Sequence, residues 1–334
     1  MSPNSSESAD PVLILMSTYN GSRYLSEQLE TIRAQSHRAW TLLVRDDGSS
    51  DRTQSLIDEF SKRDSRIARL RDDGINLGPW ASFGELLASA ASSRARYFLF
   101  SDQDDVWVED KIESQVMALR AAEEESGEEL PILVHSDLEL VDEQLRPIHP
   151  SFREFQRVSY DGTDPLGTLL IHNAIVGCTA GFNRALLEFA VPLPPGAPHD
   201  WWLALSAAAV GQIVDNPRPT VRYRQHGQNA VGVRARHGFI PMLLRHPRRF
   251  VDATMIEFGV GVGMAADLYR RLVERGKGSS AIAARVEQYI SAFKAGDDFP
   301  RRLAALRASR VRPRRRFSRV AMLGLVAAFP RLRP

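Results

Sequence analysis

Apolar residues fall in short continuous runs along the first hundred positions. Each run is followed by a polar cluster and then by a helix-spaced pattern. Residues 11–16 (Pro-Val-Leu-Ile-Leu-Met) are apolar throughout, as in a strand covered on both faces of a parallel sheet. Ser17-Thr18-Tyr19-Asn20-Gly21 follows as a turn, and Tyr24, Leu25, Leu29 and Ile32 then recur at helical spacing to about residue 35. The cycle repeats three times. A strand over 40–44 precedes a helix marked by Leu56, Ile57 and Phe60. A weaker strand over 67–70 precedes a helix over 80–91, and an aromatic strand over 97–100 follows. Strands alternating with helices predict a doubly wound, mostly parallel α/β sheet. Ligands of such sheets bind at the carboxyl ends of the strands. Thr18-Tyr19-Asn20, Asp46-Asp47-Gly48-Ser49 and Asp102-Gln103-Asp104 all fall at that edge and predict a site there.

The pattern then becomes less regular. A helix is expected from about Val108, a solvated acidic loop over 123–129, strands over 132–134 and 138–141, and irregular chain over 147–161. A short apolar helix over 166–171 leads to 172–182, which carries Gly177 and Gly181. Small residues there suit a strand that a ligand approaches closely. Four prolines over 192–198 deliver His199-Asp200-Trp201-Trp202 at the start of an apolar helix over 203–210. Helical spacing returns over 250–272, 282–293 and 303–306. The organisation expected is a disordered tail over 1–10, a catalytic domain over 11–232, a helical region over 233–311 and a basic, apolar tail over 312–334.

Composition adds little except at the C-terminus. The chain has 334 residues, 43% hydrophobic and 25% charged, with a formal net charge of +2, an ordinary globular balance. Residues 301–334, however, hold eleven arginines and no acidic residue. Arg314, Arg315 and Arg316 precede an apolar run over 320–329 that is too short to span a bilayer. A basic cluster beside an apolar helix suits contact with a membrane surface. No base-stacking or groove-reading motif accompanies it, so nucleic acid is not expected as a partner. The one cysteine, Cys178, rules out an internal disulfide and fits a reducing compartment and a packing role. With no apolar signal region near Met1, a cytoplasmic location is expected, peripheral on the inner face of the plasma membrane through the tail.

The candidate chemistry follows from the strand-end carboxylates. Asp102, Asp104 and Asp105 repel one another unless a cation joins them. Carboxylate oxygens suit Mg²⁺ or Mn²⁺, which bridge to phosphates. Neither G-x-G-x-x-G nor G-x-x-x-x-G-K-[ST] occurs, so phosphate must be met through a metal. His226 is a further candidate ligand, because imidazole suits Mn²⁺ better than Mg²⁺. Arg222 or Arg224 offsets diphosphate charge, or the pair is a solvated strand face. His135 is expected to be structural. Trp201 and Trp202 offer flat faces to a sugar ring or belong to the core, and Asp200 caps a helix or acts as a base.

Met16-Ser17-Thr18-Tyr19-Asn20-Gly21, Asp46-Asp47-Gly48-Ser49-Ser50-Asp51, Asn76-Leu77-Gly78 and Ser101-Asp102-Gln103-Asp104-Asp105 occur in an order and spacing that resembles the family 2 glycosyltransferases. The resemblance covers roughly the first 110 residues. It implies the GT-A fold and an inverting transfer from a nucleoside diphosphate sugar with a divalent metal at the diphosphate. By that resemblance Thr18, Tyr19, Asn20, Asp46, Asp47, Asp102 and Gln103 serve the nucleotide sugar, with Arg224 at the diphosphate. Asp104, Asp102 and His226 take the metal, and Asp200 is the base. Trp201, Trp202 and Gly177 line the sugar and acceptor side, with 147–161 as a loop over it. His-Asp-Trp-Trp and Tyr-Arg-Gln-His-Gly resemble the bacterial rhamnosyltransferases of the family. They imply dTDP-L-rhamnose as donor and a cell-surface polysaccharide or polyprenyl-linked glycan as acceptor. The alternatives are a sugar nucleotidyltransferase, which would need a glycine-rich basic phosphate loop after the first strand, and a catalytically inactive glycan-binding relative.

Overall fold

The computed structural model describes residues 10–71, 73–156, 162–227, 247–293 and 299–312, with 247–255 as backbone only. The expectations for the tails over 1–9 and 313–334, for 157–161 and for a boundary near residue 232 lie outside the described residues. The chain forms two compact units. One comprises 1–152, 176–192 and 211–227; the other comprises 153–175, 193–210 and 228–334. Two segments inside the range 11–232 thus group with the helices that follow it.

The first unit is built on one nine-stranded sheet. Its strands are β1 (Val12–Thr18), β2 (Trp40–Asp46), β3 (Ile67–Arg69), β4 (Tyr97–Ser101), β5 (Val106–Trp107), β6 (Ile132–Val141), β7 (Pro147–His149), β8 (Ala180–Asn183) and β9 (Gln212–Arg224). Their order is β3-β2-β1-β4-β8-β6-β9-β5, with β7 on β6. The alternating helices are α1 (Leu25–Arg33), α2 (Thr53–Arg63), α3 (Pro79–Ala91) and α4 (Lys111–Ser126). β3, β2, β1 and β4 are parallel, as their continuous apolar runs predict. Ile14, Leu15, Leu99 and Phe98 are fully buried, because helices and sheet cover both faces. Beyond β4 the sheet is mixed: β8 is antiparallel to β4 and β6, and β9 is parallel to β6.

Register explains why three polar clusters share an edge. Thr18 lies opposite Asp46, and Met16 lies opposite Ser101. The two-residue strand β5 pairs antiparallel with β9, Val106 opposite Arg222. That pairing carries the end of β9 to the end of β4. No local pattern marks so short a strand, and the helix expected from Val108 starts only at Lys111.

Three further expectations change. Residues 123–126 are helical, and Gly127, at φ +91°, ends α4. Glu123 is buried there. Arg96 Nη2 donates to it at 2.6 Å, Tyr97 Oη at 2.7 Å and Asn183 Nδ2 at 3.0 Å, so its charge is compensated rather than solvated. Residues 147–156 hold β7 and a one-turn helix, α5 (Phe152–Gln156). Residues 177–179 form a 3₁₀ turn ahead of β8. A Cβ on Gly181 would meet Gln115 Oε1 at 2.8 Å, so this glycine admits a core side chain. α7 (Arg184–Ala190) completes the unit.

The second unit is helical: α6 (Pro165–Leu169), α8 (His199–Val210), α9 (Pro247–Glu274), α10 (Ala281–Ser291) and α11 (Phe299–Ala308). α6 packs on α8, α9 on α10, and α10 on α11. Asp164 caps α6, its Oδ1 accepting Gly167 N at 3.3 Å. Its Oδ2 takes Arg285 Nη2 at 3.0 Å and lies 3.5 Å from Arg312 Nε. Among the described residues no helix is long and apolar enough to cross a membrane.

Candidate active site

The polar turn after β2 is held by its own carboxylates. Asp46 Oδ1 accepts Thr18 Oγ1 at 3.1 Å and Ser49 Oγ at 2.6 Å. Its Oδ2 accepts Ser49 N at 3.0 Å and Gln54 Nε2 at 2.8 Å. Asp47 is buried with Arg45, whose Nη1 donates to its Oδ1. It also accepts Leu77 N and Gly78 N, each at 2.8 Å, while its carbonyl accepts Asn76 Nδ2 at 2.9 Å. Asp47 therefore closes the Asn76-Leu77-Gly78 loop onto β2. Both aspartates stand where a base or ribose reader was expected, and both have their acceptors filled by protein donors. The spacing of motifs does not reveal this, because the donors come from residues up to 31 positions away.

The turn after β1 is tied to the same loop. Asn20, at φ +47°, donates its N–H to Ser49 Oγ at 2.9 Å, and its Oδ1 accepts Ser50 N at 2.9 Å. Asp51 accepts Ser22 N at 3.1 Å and Thr53 N at 2.9 Å. Partial burial opposes ionisation of Asp51, but the hydrogen bonds from Thr53 and Ser22 outweigh it and hold the carboxyl at about 2. Tyr19 is 51% exposed. Its backbone is bracketed by Gln103, whose Oε1 accepts Tyr19 N at 2.9 Å and whose Nε2 donates to Tyr19 O at 3.1 Å.

The cluster after β4 is different. Asp104 Oδ2 lies 2.8 Å from His226 Nε2, across 122 positions of sequence. The His226 ring leans on Tyr24, 4.9 Å between centroids. Asp105 is fully buried; Oδ1 accepts Arg224 N at 3.2 Å, and Oδ2 has no hydrogen-bond partner among the described residues. Carboxylate oxygens of Asp102 and Asp105 and the Cys178 sulfur lie within 4.8 Å of one another. Burial, then the charges of Asp104 and Asp102, push the Asp105 carboxyl well above the usual range. Burial, then Asp105 and Asp102, likewise push the Cys178 thiol up, consistent with a packing cysteine. The buried Lys111 donates to Cys178 O at 3.0 Å, and burial pulls its ammonium down to about 8 against the attraction of Cys178, Asp105 and Asp102. Lys111 carries no motif signal; only its burial discloses it.

Arg224, expected at the diphosphate, is instead a buried strut. Its Nε donates to Asp104 O at 2.9 Å, Nη1 to Glu143 O at 2.8 Å and Nη2 to Glu27. Its guanidinium also lies over the Tyr24 ring. Arg222, the exposed alternative, lies 3.3 Å from Glu139. His135 is buried, 3.8 Å from Asp215, and Gly177 is buried in its 3₁₀ turn.

In the second unit Asp200 opens α8, partly exposed, with Oδ1 accepting Trp201 N at 2.7 Å. Trp201 and Trp202 are core residues, not open faces for a sugar. Trp201 is buried with Nε1 donating to Leu169 O at 2.6 Å, and Trp202 is buried under Arg271. The apolar faces of α6, α8 and α9 need such bulk to fill the space between helices.

Carboxylate and imidazole are donor types that suit Mn²⁺. Asp104 meets His226, while the group drawn together within 4.8 Å is Asp102, Asp105 and Cys178.

The chain is similar to known proteins. The chain is 26% identical over 196 residues to the Escherichia coli UDP-Glc:alpha-D-GlcNAc-diphosphoundecaprenol beta-1,3-glucosyltransferase WfgD, covering 58% of this chain and 69% of that protein. It is 26% identical over 228 residues to the Shigella flexneri dTDP-rhamnosyl transferase RfbG, covering 65% and 73%. The mannosyltransferase PcManGT from Pyrobaculum calidifontis, solved with GDP-Man and Mn²⁺, superposes with a TM-score of 0.52 at 16% identity, over 90% of this chain and 86% of that one. Residues 1–349 of S. aureus TarS, solved with UDP-GlcNAc, superpose with a TM-score of 0.51 at 13% identity, over 90% and 89%. The fold is therefore GT-A. Glycosyl transferase family 2 matches residues 13–187, more than half of the 334. The match runs from β1 into α7 and takes in the polar turns after β1, β2 and β4, and the chain belongs to that family and is a glycosyltransferase.

Proposed function

We propose that the enzyme catalyses an inverting, metal-dependent transfer of a sugar from a nucleoside diphosphate donor, with dTDP-L-rhamnose as the first-choice donor. The acceptor is a cell-surface polysaccharide or a polyprenyl-linked glycan at the inner face of the plasma membrane. The observation that carries the reading is the 2.8 Å approach of His226 to Asp104, beside the buried Asp105, one oxygen of which has no hydrogen-bond partner among the described residues. The two groups, 122 positions apart, meet beside carboxylates whose mutual repulsion a bound cation would relieve.

Tyr19, exposed at the end of β1, is available to stack on the nucleobase. Thr18, Asn20, Asp46 and Asp47 act one step back, by shaping the loops. Asp104, Asp102 and His226 would hold the metal, which when bound supplies positive charge to the departing diphosphate. Asp200 accepts the proton of the acceptor hydroxyl as its oxygen attacks the anomeric carbon. The carbon–phosphate oxygen bond breaks on the opposite side, so configuration inverts. The relative from Shigella flexneri favours the rhamnose donor. The equally identical relative from Escherichia coli favours a second reading, a UDP-linked sugar passed to a diphosphoundecaprenol-linked acceptor.

The test is a thermal-shift screen with UDP, GDP and dTDP, each with Mn²⁺, Mg²⁺ or EDTA, followed by donor hydrolysis assays. Ligands that bind only the folded state raise its melting temperature. A metal-dependent shift with dTDP is expected. A shift with UDP alone would transfer the reading to the second donor. No metal-dependent shift with any nucleoside diphosphate, or full transfer activity in folded Asp104→Ala and Asp200→Asn, would sink it.

A further inference from the structure

The middle residue of Asp102-Gln103-Asp104 has an unusual use. A Gln side chain has one acceptor and two donors, and here the amide meets the two backbone groups of a single residue. Gln103 Oε1 accepts Tyr19 N and Nε2 donates to Tyr19 O. This is the pair of bonds that one residue of an antiparallel neighbour would make, supplied by a side chain beyond the point where the parallel strands β1 and β4 stop pairing at Met16 and Ser101. The amide reaches that backbone only because residue 21 is glycine. A Cβ on Gly21 would lie 2.1 Å from Gln103 Oε1 and 2.5 Å from its Cδ. Gly21 has no positive φ, so close approach, not backbone freedom, is what requires it. The two motifs therefore interlock: Gly21 leaves the space and Gln103 fills it.

We propose that Gln103 is a positioning residue for the donor, holding the turn after β1 in register with the carboxylate turn after β4. The inference rests on the reading that a nucleoside diphosphate donor meets both turns. Its nucleoside end would lie at Tyr19 and its diphosphate at the metal set of Asp102, Asp104 and His226. Displacing one turn by a fraction of an ångström then mismatches the two ends of one rigid ligand, which weakens binding more than it disturbs the fold. The bonds themselves are partly exposed to water, so their loss has little effect on stability. The turn after β1 remains attached to the turn after β2 through Asn20 and Ser49.

The experiment uses the full chain as wild type, Gln103→Ala, Gly21→Ala and the double variant. Melting temperature is read without ligand, and affinity for UDP, GDP and dTDP with Mn²⁺ is read by titration calorimetry. KM and kcat for donor hydrolysis are then taken with the sugar donor of the nucleotide that binds. In Gln103→Ala the unliganded melting temperature is expected within about 2 °C of wild type, with nucleotide affinity lower by about tenfold. Donor KM is expected to rise in the same ratio while kcat changes much less, the signature of lost binding rather than lost chemistry. Gly21→Ala should expel the amide and reproduce that loss. The double variant should be no worse than either single one, because both changes break the same contact. Additive losses in the double variant, or wild-type affinity in Gln103→Ala, would overturn the inference while leaving the proposed function in place. A wild-type chain that binds none of the three nucleotides would overturn both.

Discussion

Two acidic clusters leave the same edge of the sheet and have opposite fates. After β2, Asp46 and Asp47 are buried and surrounded by donors: two hydroxyls, three backbone N–H groups, an amide and a guanidinium. After β4, Asp102 and Asp105 lie close together beside Cys178, Asp104 meets His226, and a buried oxygen of Asp105 has no hydrogen-bond partner among the described residues. The first cluster is complete within the protein and builds loops. The second holds an acceptor that the described residues leave open. Residue type, spacing and position on the strand are nearly the same in both, so what separates scaffold from chemistry is whether the protein itself satisfies the charge.

The largest effect should come from breaking the second cluster. Asp104→Ala is expected to lower transfer by a thousandfold or more and to abolish the melting-temperature rise with Mn²⁺. Its stability without metal should be unchanged or higher, because a like charge is removed. A loss of stability matching the loss of activity would erase the contrast. The reciprocal change, Asp47→Ala, leaves the Arg45 guanidinium buried without its carboxylate. It should destabilise the chain by about 3 kcal/mol or more, read by denaturant unfolding, and nucleotide binding should fail only as folding fails.

The histidines sharpen the comparison at smaller scale. Burial pulls His199 down to about 4, against the attraction of Asp200, so it stays neutral in the folded chain while the unfolded chain protonates it near 6.5. Its contribution is fully present above pH 6.5 and is lost as pH falls from there toward 4. Unfolding at pH 7 and pH 5 should differ, with His199→Gln removing about 2 kcal/mol of the difference. A pH dependence unchanged in that variant would contradict the burial. His226 sits on the charged cluster instead. His226→Ala should weaken Mn²⁺ binding by about tenfold and narrow the preference for Mn²⁺ over Mg²⁺, measured by Mn²⁺ titration.

Much of this was legible in the chain. The apolar runs located β1, β2, β4 and the first segment of β6, and the polar residues after them located the site edge. Helix spacing located α9, α10 and α11. The misses have a common cause. Glu123 looked solvated like the exposed acidic residues that follow it because its partners, Arg96, Tyr97 and Asn183, are each far away in sequence. Arg224 looked available to phosphate because Glu27 and Glu143 meet it only through the fold. Trp201 and Trp202 looked like ligand faces because adjacent aromatics carry no sign of which neighbours will cover them.

The sequence by itself determined the alternation of strands and helices, the parallel start of the sheet and the edge at which carboxylates gather. Those features depend on period and local conformational preference, which a few neighbouring residues set. Only the tertiary structure decided which carboxylates are neutralised, which arginine is a strut, and that β5 and β9 bring His226 to Asp104. Hydrogen bonds and charges between distant segments respond to distance in space, and a linear order of residues does not contain that distance until the chain has folded.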